Sequence, residues 1–341
     1  IERYQRDSFW ASSGLYEFVQ IFIISNGTLT KYYSNTTREF HINNKTKTKS
    51  NSFEFTSFWA DQKNNSITDL IDFAKTFLTK HTLLNILTKY CVFTSEEDLL
   101  VMRPYQIVAT EKILNKINIS YNNKLYGTIK SGGYIWHTTG SGKTLTSFKT
   151  SILASKLEFI DKVLFVVDRK DLDYQTMKEY DRFKEGCANS NSSTKVLENQ
   201  LNDPNAKIII TTIQKLSGFI KKNTGSEVFN KHVVFIFDEC HRSQFGEMHK
   251  AIIKKFKKYY IFGFTGTPIF PENARTIKGI SETTEQIFGD RLHTYTIVNA
   301  IADKNVLPFR YEYVGKVDIK KDVEDEKVYS IDEEKAFDNK F

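Results

Sequence analysis

The sequence predicts an α/β protein in which helices cover both faces of a parallel sheet. After Arg103, short apolar segments occur without alternating polar residues, and amphipathic stretches separate them. Strands buried on both faces have such continuous apolar sequences, and their alternation with helices is typical of a parallel sheet. A glycine-containing turn between one apolar segment and a helix also fits this fold class. The predicted strands are Tyr134–Trp136, Val163–Val167, Ile208–Ile210, Val233–Phe237 and Tyr260–Phe264.

Composition narrows the class of protein. The 341 residues suggest about two domains, and 40% of them are hydrophobic, enough for a substantial core. The formal charge of +7 favours contact with nucleic acid. The cysteines Cys91, Cys187 and Cys240 are far apart and form no C-x-x-C pair, which argues against a disulfide framework or a zinc site and favours a reducing compartment. No apolar run reaches the roughly 18 residues of a membrane span, so we expect no membrane partner.

An antiparallel hairpin and two helices are predicted before the parallel sheet. Asn26-Gly27 separates Leu15–Ser25 from Thr28–Tyr33, two stretches rich in β-branched and aromatic residues, and Asn-Gly is the strongest short hairpin signal. From Ser66 the apolar residues recur at helical spacing, and Ser66 with Asp69 has the spacing of a capping box. The helical positions are Leu70, Phe73, Ala74, Phe77 and Leu78, and a second helix is predicted over Leu83–Tyr90.

Residues 133–144, Gly-Tyr-Ile-Trp-His-Thr-Thr-Gly-Ser-Gly-Lys-Thr, predict a phosphate-binding loop. An apolar strand leads into a turn and then into a helix beginning near Lys143, so backbone N–H groups and the helix N-terminus can surround a phosphate. Lys143 would contact the β- and γ-phosphates, and the Thr144 hydroxyl would bind Mg²⁺. His137 replaces the first glycine of the usual pattern, whereas Gly140 and Gly142 are kept. A chance Gly-rich turn is the alternative, which the flanking strand and helix make less favourable.

An acidic pair follows the predicted strand Val233–Phe237. Asp238 and Glu239 would lie at the carboxyl edge of the sheet, where ligands bind in open α/β sheets. Asp238 is suited to bind Mg²⁺, and Glu239 is suited to polarise an attacking water molecule. Acids at a strand end are often only helix caps. Their combination with a phosphate loop about ninety residues upstream favours the catalytic interpretation.

Two further polar groups are candidates with competing interpretations. Thr265 and Thr267 follow another apolar strand, and their hydroxyls could face Asp238 and His241, although the Gly-Thr-Pro sequence is also an ordinary turn. Gln106 precedes an amphipathic helix, and its amide could read an adenine edge in the bidentate way that Asn and Gln do. A surface glutamine at a helix start explains Gln106 nearly as well.

Together these motifs resemble the restriction (motor) subunit of type I restriction–modification enzymes and, more broadly, the DEAD/DEAH-box translocases of helicase superfamily two. The resemblance covers nearly the whole chain, because Ile24-Ser-Asn-Gly27, Tyr32-Tyr-Ser-Asn-Thr36 and Tyr295–Tyr311 also fit it. The longer motifs that carry it are His137–Thr144, Thr211-Thr-Ile-Gln-Lys215, Asp238-Glu-Cys-His-Arg-Ser-Gln-Phe-Gly246 and Thr265-Gly-Thr-Pro268.

The resemblance implies a role for each motif. It implies that ATP and Mg²⁺ are cofactors, that Asp238, Glu239 and His241 act with Lys143 in hydrolysis, and that Thr265 and Thr267 couple hydrolysis to DNA movement. Phosphate contacts would give DNA affinity without sequence choice. The implied ATP-binding residues are Gln106, Thr139, Gly140, Ser141, Gly142, Lys143 and Thr144, and the implied DNA-binding residues are Arg169, Gln175, Thr211, Thr212 and Gln214.

The resemblance also implies a domain order. Residues 1–65 would be a remnant of an N-terminal endonuclease domain, residues 66–100 a helical connection, residues 101–315 the first RecA-like motor domain, and residues 316–341 a charged linker toward a second RecA-like domain. Gly186–Ala206, rich in Asn and Ser, is predicted to be a loop. Tyr4 fits the last position of the family's Gln-x-x-x-Tyr nuclease element. The Gln of that element would then lie just before Ile1, and no nuclease residue is assigned in this sequence. The acid-x-Lys matches Asp325-x-Lys327 and Glu333-x-Lys335 are interpreted as solvated charge.

The sequence therefore favours an ATP-dependent site-specific deoxyribonuclease subunit that translocates double-stranded DNA. Its partners would be methyltransferase and specificity subunits, and its location the cytoplasm of a prokaryotic cell. Another superfamily-two motor, such as a type III restriction subunit or a repair helicase, remains an alternative. A nucleotide-dependent interaction module without a DNA role is a third hypothesis. Stimulation of ATP hydrolysis by duplex DNA would separate the motors from such a module.

Overall fold

The computed structural model describes residues 18–34, 36, 56–96, 98–167, 170–183, 185–186, 189, 191–238, 240, 245–274, 276–277 and 280–308. In its described residues, the region before the parallel sheet contains short two-stranded units and two helices. Its elements are β1 (Ile21–Ser25), β2 (Thr30–Ser34), β3 (Trp59–Ala60), β4 (Ser66–Ile67), α1 (Leu70–Phe77), α2 (Lys80–Lys89), β5 (Cys91–Phe93) and β6 (Leu99–Val101).

The predicted hairpin at Asn26-Gly27 is confirmed. Strands β1 and β2 pair antiparallel, with Ser25 opposite Thr30, so a four-residue turn joins them. The Asn26 side-chain oxygen accepts hydrogen bonds from the backbone N–H groups of Leu29, at 2.8 Å, and Thr28, at 3.2 Å. Gly27 has a φ of +96°, a conformation that costs glycine little. The turn therefore uses both residues of the dipeptide.

The predicted capping role of Ser66 is wrong. Ser66 pairs with Ala60 in the β3–β4 hairpin, so its backbone is extended and three residues away from the helix start. Asp69 is the N-cap of α1, and its carboxylate accepts hydrogen bonds from the backbone N–H groups of Ile71 and Asp72. The second helix begins at Lys80, earlier than predicted, because Thr79 caps it. Residues 66–100 therefore contain strands as well as the expected helices.

A small aromatic core holds this N-terminal region together. Phe73 and Phe77 stack at 4.7 Å between ring centroids, and Tyr32 lies 5.0 Å from Phe77. These side chains and Ile86 are at most 2% exposed. Helix α1 therefore buries the face that carries Phe73 and Phe77 against the hairpin strand β2.

The remaining described chain forms one six-stranded parallel sheet with helices between the strands. All five strands predicted for it from the sequence are confirmed. Its helices and strands are α3 (Pro104–Asn122), β7 (Gly133–His137), α4 (Lys143–Ala154), β8 (Lys162–Val167), α5 (Lys170–Phe183), α6 (Thr194–Asn202), β9 (Ile208–Thr212), α7 (Ile213–Lys222), β10 (His232–Phe237), α8 (Phe245–Lys255), β11 (Lys258–Thr265), β12 (Thr276–Ile277), β13 (Ile280–Ser281), α9 (Thr284–Phe288), β14 (Arg291–Tyr295) and α10 (Ile297–Ala302).

The strand order of the large sheet is β14-β7-β11-β10-β8-β9, and every neighbouring pair is parallel. Strand β14, which the sequence did not predict, forms one edge beside β7. Strands β12 and β13 form a separate antiparallel pair. Because β7, β11 and β10 are adjacent, the segments that follow them share one edge of the sheet.

Both faces of the sheet are buried, as the unalternating apolar strands predicted. One core contains Ile135, Phe165 and Ile236, and the opposite core contains Tyr134, Leu164 and Phe235. The alternation of neighbouring residues between the two cores follows from the period of two along a strand.

The prediction of a loop over Gly186–Ala206 is wrong in part. Residues Thr194–Asn202 form α6, whose N-cap Ser193 accepts a hydrogen bond from the backbone N–H of Val196. Leu197 and Leu201 are fully buried. Two leucines four residues apart form only a weak helical pattern. The polar composition of the rest of the segment favoured the prediction of a loop.

No helix in the described part of the chain is long and apolar enough to cross a membrane.

Candidate functional site

The loop between β7 and α4 has the backbone geometry of a phosphate cradle. Gly140 and Gly142 have φ values of +79° and +73°, in the left-handed region. Gly142 is the N-cap of α4, and Lys143 is the first helical residue, as predicted. The first N–H groups of a helix have no intrahelical partners and carry the positive end of the helix dipole. The loop therefore presents backbone donors and Lys143 at the carboxyl edge of the sheet.

Helix α3 holds this loop through two consecutive side chains. The Tyr105 hydroxyl donates to the carbonyl of Ser141 at 2.8 Å. The Gln106 amide nitrogen donates to the same carbonyl at 3.0 Å and to that of Gly142 at 3.3 Å. The Gln106 oxygen accepts from the backbone N–H of Arg103 at 2.9 Å. Gln106 is therefore buried and engaged with the loop, and its contact with adenine stays a prediction.

His137 occupies the first position of the loop in a buried aromatic setting. Its Nε2 shares a 2.9 Å hydrogen bond with Nδ1 of His293 on β14. The Tyr105 ring meets the His137 ring edge-to-face at 5.4 Å. Burial, His293 and Lys143 together hold the pKa of His137 well below its ordinary value. A neutral imidazole therefore fits where the usual pattern has glycine, because β14 supplies a partner for it.

Asp238 lies at the carboxyl end of β10, two strands away from β7. Its backbone N–H donates to the carbonyl of Val166 at 3.2 Å, which fixes the direction in which the chain leaves the sheet. The side chain is half-buried. Glu239 and His241 lie outside the described residues. Of the predicted catalytic group, the structure thus brings Lys143 and Asp238 to the same sheet edge.

The Thr265–Thr267 segment continues β11, which lies between β7 and β10. Thr265 is fully buried, and its hydroxyl accepts from the backbone N–H of Thr267 at 3.1 Å. The Trp136 indole donates to the Gly266 carbonyl at 3.1 Å. A Cβ on Gly266 would lie 3.5 Å from Thr139. The segment therefore packs directly against the nucleotide loop, and its coupling role stays a prediction.

A close approach between β11 and the chain after β10 depends on Gly263. A Cβ at this position would lie 2.6 Å from the Cys240 sulfur and 3.1 Å from the Phe288 ring. The Cys240 backbone N–H donates to the Phe264 carbonyl at 3.1 Å. Because Cys240 lies two residues after Asp238, Gly263 makes room for the chain just beyond the end of β10.

The predicted DNA-binding threonines are buried and hydrogen-bonded. The Thr211 hydroxyl donates to the Asn191 side-chain oxygen at 3.0 Å. The Thr212 hydroxyl caps α7 by accepting from the backbone N–H of Lys215 at 3.3 Å. Gln214 is exposed on the first turn of that helix. The two threonine hydroxyls thus have structural roles, and their DNA contacts stay predictions.

Two other predicted DNA contacts cannot be placed as side chains. Arg169 lies outside the described residues. Gln175 belongs to α5, of which the backbone is described at that position. The contacts of Arg169 and Gln175 with DNA stay predictions.

The side chains at the site fit Mg²⁺ held together with a nucleotide better than a metal held by protein alone. Among the described residues no group of three His, Cys, Asp or Glu side chains could hold a metal ion. The Thr144 hydroxyl lies in the first turn of α4, and the Asp238 carboxylate follows β10. Mg²⁺ commonly keeps several waters and binds one or two carboxylates plus substrate phosphates. The donor set suits that chemistry.

Residues of β14 also support the loop, although no sequence motif predicted them. The Tyr295 ring stacks on Tyr105 at 3.6 Å, and the Tyr295 carbonyl accepts from the backbone N–H of Thr138 at 2.9 Å. His293 holds His137. No local signal marked these residues, because their partners lie about 150 to 190 positions away and meet them only through the β7–β14 pairing.

The parallel sheet, the glycine-dependent loop after β7 and the acid after β10 define a P-loop nucleotide-binding lobe. Residues 105–340 match the SWI2/SNF2 ATPase family, and residues 1–41 match the N terminus of type I restriction enzyme R proteins.

Curated relatives agree with these matches. The chain is 42% identical over 318 residues to the type I restriction enzyme SauCOLORF180P endonuclease subunit of Staphylococcus aureus, a match that covers 92% of this chain and 31% of the relative. It is 50% identical over 204 residues to the C-terminal part of a putative type I restriction enzyme, the MpnIIP endonuclease of Mycoplasma pneumoniae, covering 58% of this chain and 99% of that protein. One solved structure, an ATP-dependent type ISP restriction-modification enzyme bound to DNA, is 21% identical with a TM-score of 0.42, over 61% of this chain and 16% of that one.

The chain belongs to the family of type I restriction enzyme endonuclease subunits, and residues 105–340 are its SWI2/SNF2 ATPase part. It spans about a third of the length of the staphylococcal relative.

Proposed function

We propose that this chain is the ATP-driven front part of a type I restriction subunit, in which ATP hydrolysis moves double-stranded DNA and leads to its cleavage. The observation that carries the proposal is the loop of residues 138–142, whose two left-handed glycines open directly into α4 at Lys143. Asp238 ends a strand two positions away in the same sheet. Such an arrangement binds the phosphates of a nucleotide and their metal ion.

The proposed role of each site residue is the one that its motif suggests. Lys143 contacts the β- and γ-phosphates, while Thr144 and Asp238 hold Mg²⁺. Glu239 polarises the attacking water, and His241, Thr265 and Thr267 transmit hydrolysis to DNA movement. The proximity of the two segments supports this transmission, because a Cβ on Gly266 would lie 3.5 Å from Thr139.

Residues 1–65 are proposed to belong to the endonuclease domain and residues 101–315 to the first motor domain, joined by residues 66–100 and followed by a linker over residues 316–341. The match of residues 1–41 to the R protein N terminus supports the first assignment. Methyltransferase and specificity subunits are the proposed protein partners, because the staphylococcal relative is named as one subunit of a type I restriction enzyme. Arg169, Gln175, Thr211, Thr212 and Gln214 are the proposed DNA contacts of the motor domain.

A variant at Lys143 tests the proposal in the intact subunit that contains this chain. Lys143→Ala removes the phosphate-binding charge, so we expect ATP hydrolysis stimulated by duplex DNA to fall to background with the melting temperature unchanged. Lys156→Ala, which removes an exposed lysine just beyond the same helix, is the matched control and should keep full activity. Undiminished hydrolysis by Lys143→Ala would refute the assignment.

The proposed division of labour has its own test. Glu239→Gln should keep ATP binding and lose hydrolysis, because only the carboxylate that polarises water is changed. Weakened nucleotide binding by this variant would contradict the role. Hydrolysis that duplex DNA does not stimulate, in the unmodified subunit, would instead favour a nucleotide-dependent interaction module.

A further inference from the structure

A groove of about 360 Å³ runs along the sheet edge strand β14, away from the nucleotide loop. One wall is the turn of the β3–β4 hairpin, and another is helix α3. The Asn64 side chain joins the turn to the sheet by donating to the Thr294 carbonyl at 2.8 Å. This β14 groove is therefore a seam between the N-terminal region and the ATPase sheet.

The lining of the β14 groove is basic and contains no carboxylate. Lys112 on α3 and Arg291 on β14 line it, with Lys63 from the hairpin turn. Among the residues that the structure describes, neither Lys112 nor Arg291 has a carboxylate within ion-pair distance. Arg291 lies 5.9 Å from the Trp136 ring, a contact that orients the guanidinium and leaves its charge uncompensated.

Two acids adjacent in sequence to groove-lining residues, Asp290 and Asp61, have partners of their own. Asp290 forms an ion pair with Lys116 at 2.9 Å. Asp61 accepts from the backbone N–H groups of Lys63, at 2.8 Å, and Asn65, at 2.9 Å, and interacts electrostatically with Lys63. Lys63 is thus partly compensated, and Lys112 and Arg291 carry the positive potential of the groove.

His293 adds a buried polar atom to the same groove. The residue is 5% exposed, and its Nδ1 is used by His137. Its Nε2 has no hydrogen-bond partner among the described residues. Burial and Lys112 lower the pKa of His293 to about 4, against a smaller opposing effect of the Gln62 backbone. His293 is therefore a neutral imidazole with one buried nitrogen that lacks a hydrogen bond, and a polar group bound in the groove would supply one.

We infer that the β14 groove binds a phosphodiester of double-stranded DNA, with Lys112 and Arg291 contacting the phosphate oxygens. The groove is open and follows β14 from Arg291 to Thr294, and its lining includes neither Lys143 nor a residue of the 138–142 loop, so the nucleotide phosphates occupy a different site. An open groove with two separated charges fits a continuous backbone better than a single small anion. DNA passing between the motor sheet and the N-terminal region would cross this seam. The inference rests on the proposed motor function for the identity of its ligand.

The test compares two variants of equal charge in the intact subunit. Lys112→Gln/Arg291→Gln removes the groove charges, and Lys195→Gln/Lys221→Gln removes two exposed lysines on α6 and α7. Binding of a fluorescent duplex of about 30 base pairs is measured by anisotropy across a salt series. We expect the groove variant to lose about tenfold in affinity at low salt and the slope of log affinity against log salt to become shallower by about 1–2. The control should stay near the unmodified subunit, and ATP hydrolysis without DNA should be unchanged in both.

A charge-conserving variant and a phosphate-binding measurement complete the test. Lys112→Arg/Arg291→Lys keeps the charge and should restore binding, which separates a lost contact from a disturbed fold. Affinity and slope that are equal in the groove variant and the control would overturn the inference while leaving the motor proposal intact. Binding of inorganic phosphate that the groove variant loses, with DNA affinity retained, would show a small-anion site and overturn it also. Absence of duplex binding by the unmodified subunit would count against the proposed function itself.

Discussion

The six-stranded sheet and the N-terminal region bury their aromatic side chains in different ways. In the sheet, each central strand has a parallel neighbour on both sides and a core on both faces. In the N-terminal region, two-stranded units surround one small cluster formed by Tyr32, Phe73, Phe77 and Ile86. The two regions also contact each other: Val92 of β5 is buried in one core of the sheet, Ile107 of α3 packs against the small cluster, and the Lys149 ammonium donates to the Cys91 carbonyl at 3.0 Å. Because the small cluster is distinct from both cores of the sheet, we expect the site to be supported mainly by the large cores.

A matched pair of truncations gives the largest expected effects. Phe165→Ala in the sheet and Phe77→Ala in the small cluster should each cost about 3–5 kcal/mol, since both rings are at most 1% exposed. We expect Phe77→Ala to speed hydrogen exchange in β1, β2 and α1 only. Phe165→Ala should speed exchange in β7, β8 and β10 and weaken nucleotide binding.

Hydrogen exchange followed by mass spectrometry distinguishes the regions directly. Equal loss of protection in β8 and β1 after Phe77→Ala would show that the sheet and the N-terminal region unfold as a single cooperative unit.

Gly263→Ala tests how closely the large core supports the site. The added methyl would meet the Cys240 sulfur at 2.6 Å, so we expect a loss of about 1–3 kcal/mol in stability and slower ATP hydrolysis. Gly225→Ala, where a Cβ meets nothing within 4 Å, is the control and should change little. The double variant Gly263→Ala/Cys240→Ala should recover part of both losses. A double variant no better than Gly263→Ala alone would mean that Cys240 is not the obstacle.

The contrast between the regions also explains what the sequence could predict. Strands such as Val233–Phe237 are fully buried in parallel pairs, so their composition identifies them without knowledge of the partner. The nucleotide loop and Asp238 were predictable for the same reason, because strand ends in one parallel sheet share an edge. The His137–His293 pair and the Tyr105–Tyr295 stack were not, since edge strand β14 has mixed polarity and reveals itself only in the fold.

We expect Lys162, at the start of β8, to make the stability of the sheet region depend on pH. Its ammonium is 1% exposed and donates to the carbonyls of Gln200, Asp203 and Ala206 at the end of α6. Burial, followed by Lys231, lowers the pKa of Lys162 from 10.5 to about 8. The unfolded chain therefore binds more protons between about pH 8 and 10.5, so this residue's contribution to stability rises with pH in that window and is lost as pH falls through 8.

The rise is at most about 1.4 kcal/mol per pH unit for one group. Urea unfolding at about pH 7.5, 8.5 and 9.5 measures it, with Lys162→Met as the comparison that should lack this increment. A pH dependence identical in the two proteins would show that Lys162 titrates alike in the folded and unfolded states.

The smallest expected effect concerns the hairpin turn of the N-terminal region. Asn26→Ala removes the side-chain oxygen that accepts from Leu29 and Thr28, and losses of this kind cost about 0.5–1.5 kcal/mol. The same turn also supports α1, because the Gly27 carbonyl accepts from the backbone N–H of Leu70 at 2.9 Å. We therefore expect faster hydrogen exchange in β1, β2 and the first turn of α1, with no change in the sheet or in nucleotide binding. Asn223→Ala, at the end of α7, provides a polar control in the other region. A change in nucleotide affinity with Asn26→Ala would show that the hairpin turn is energetically coupled to the nucleotide site.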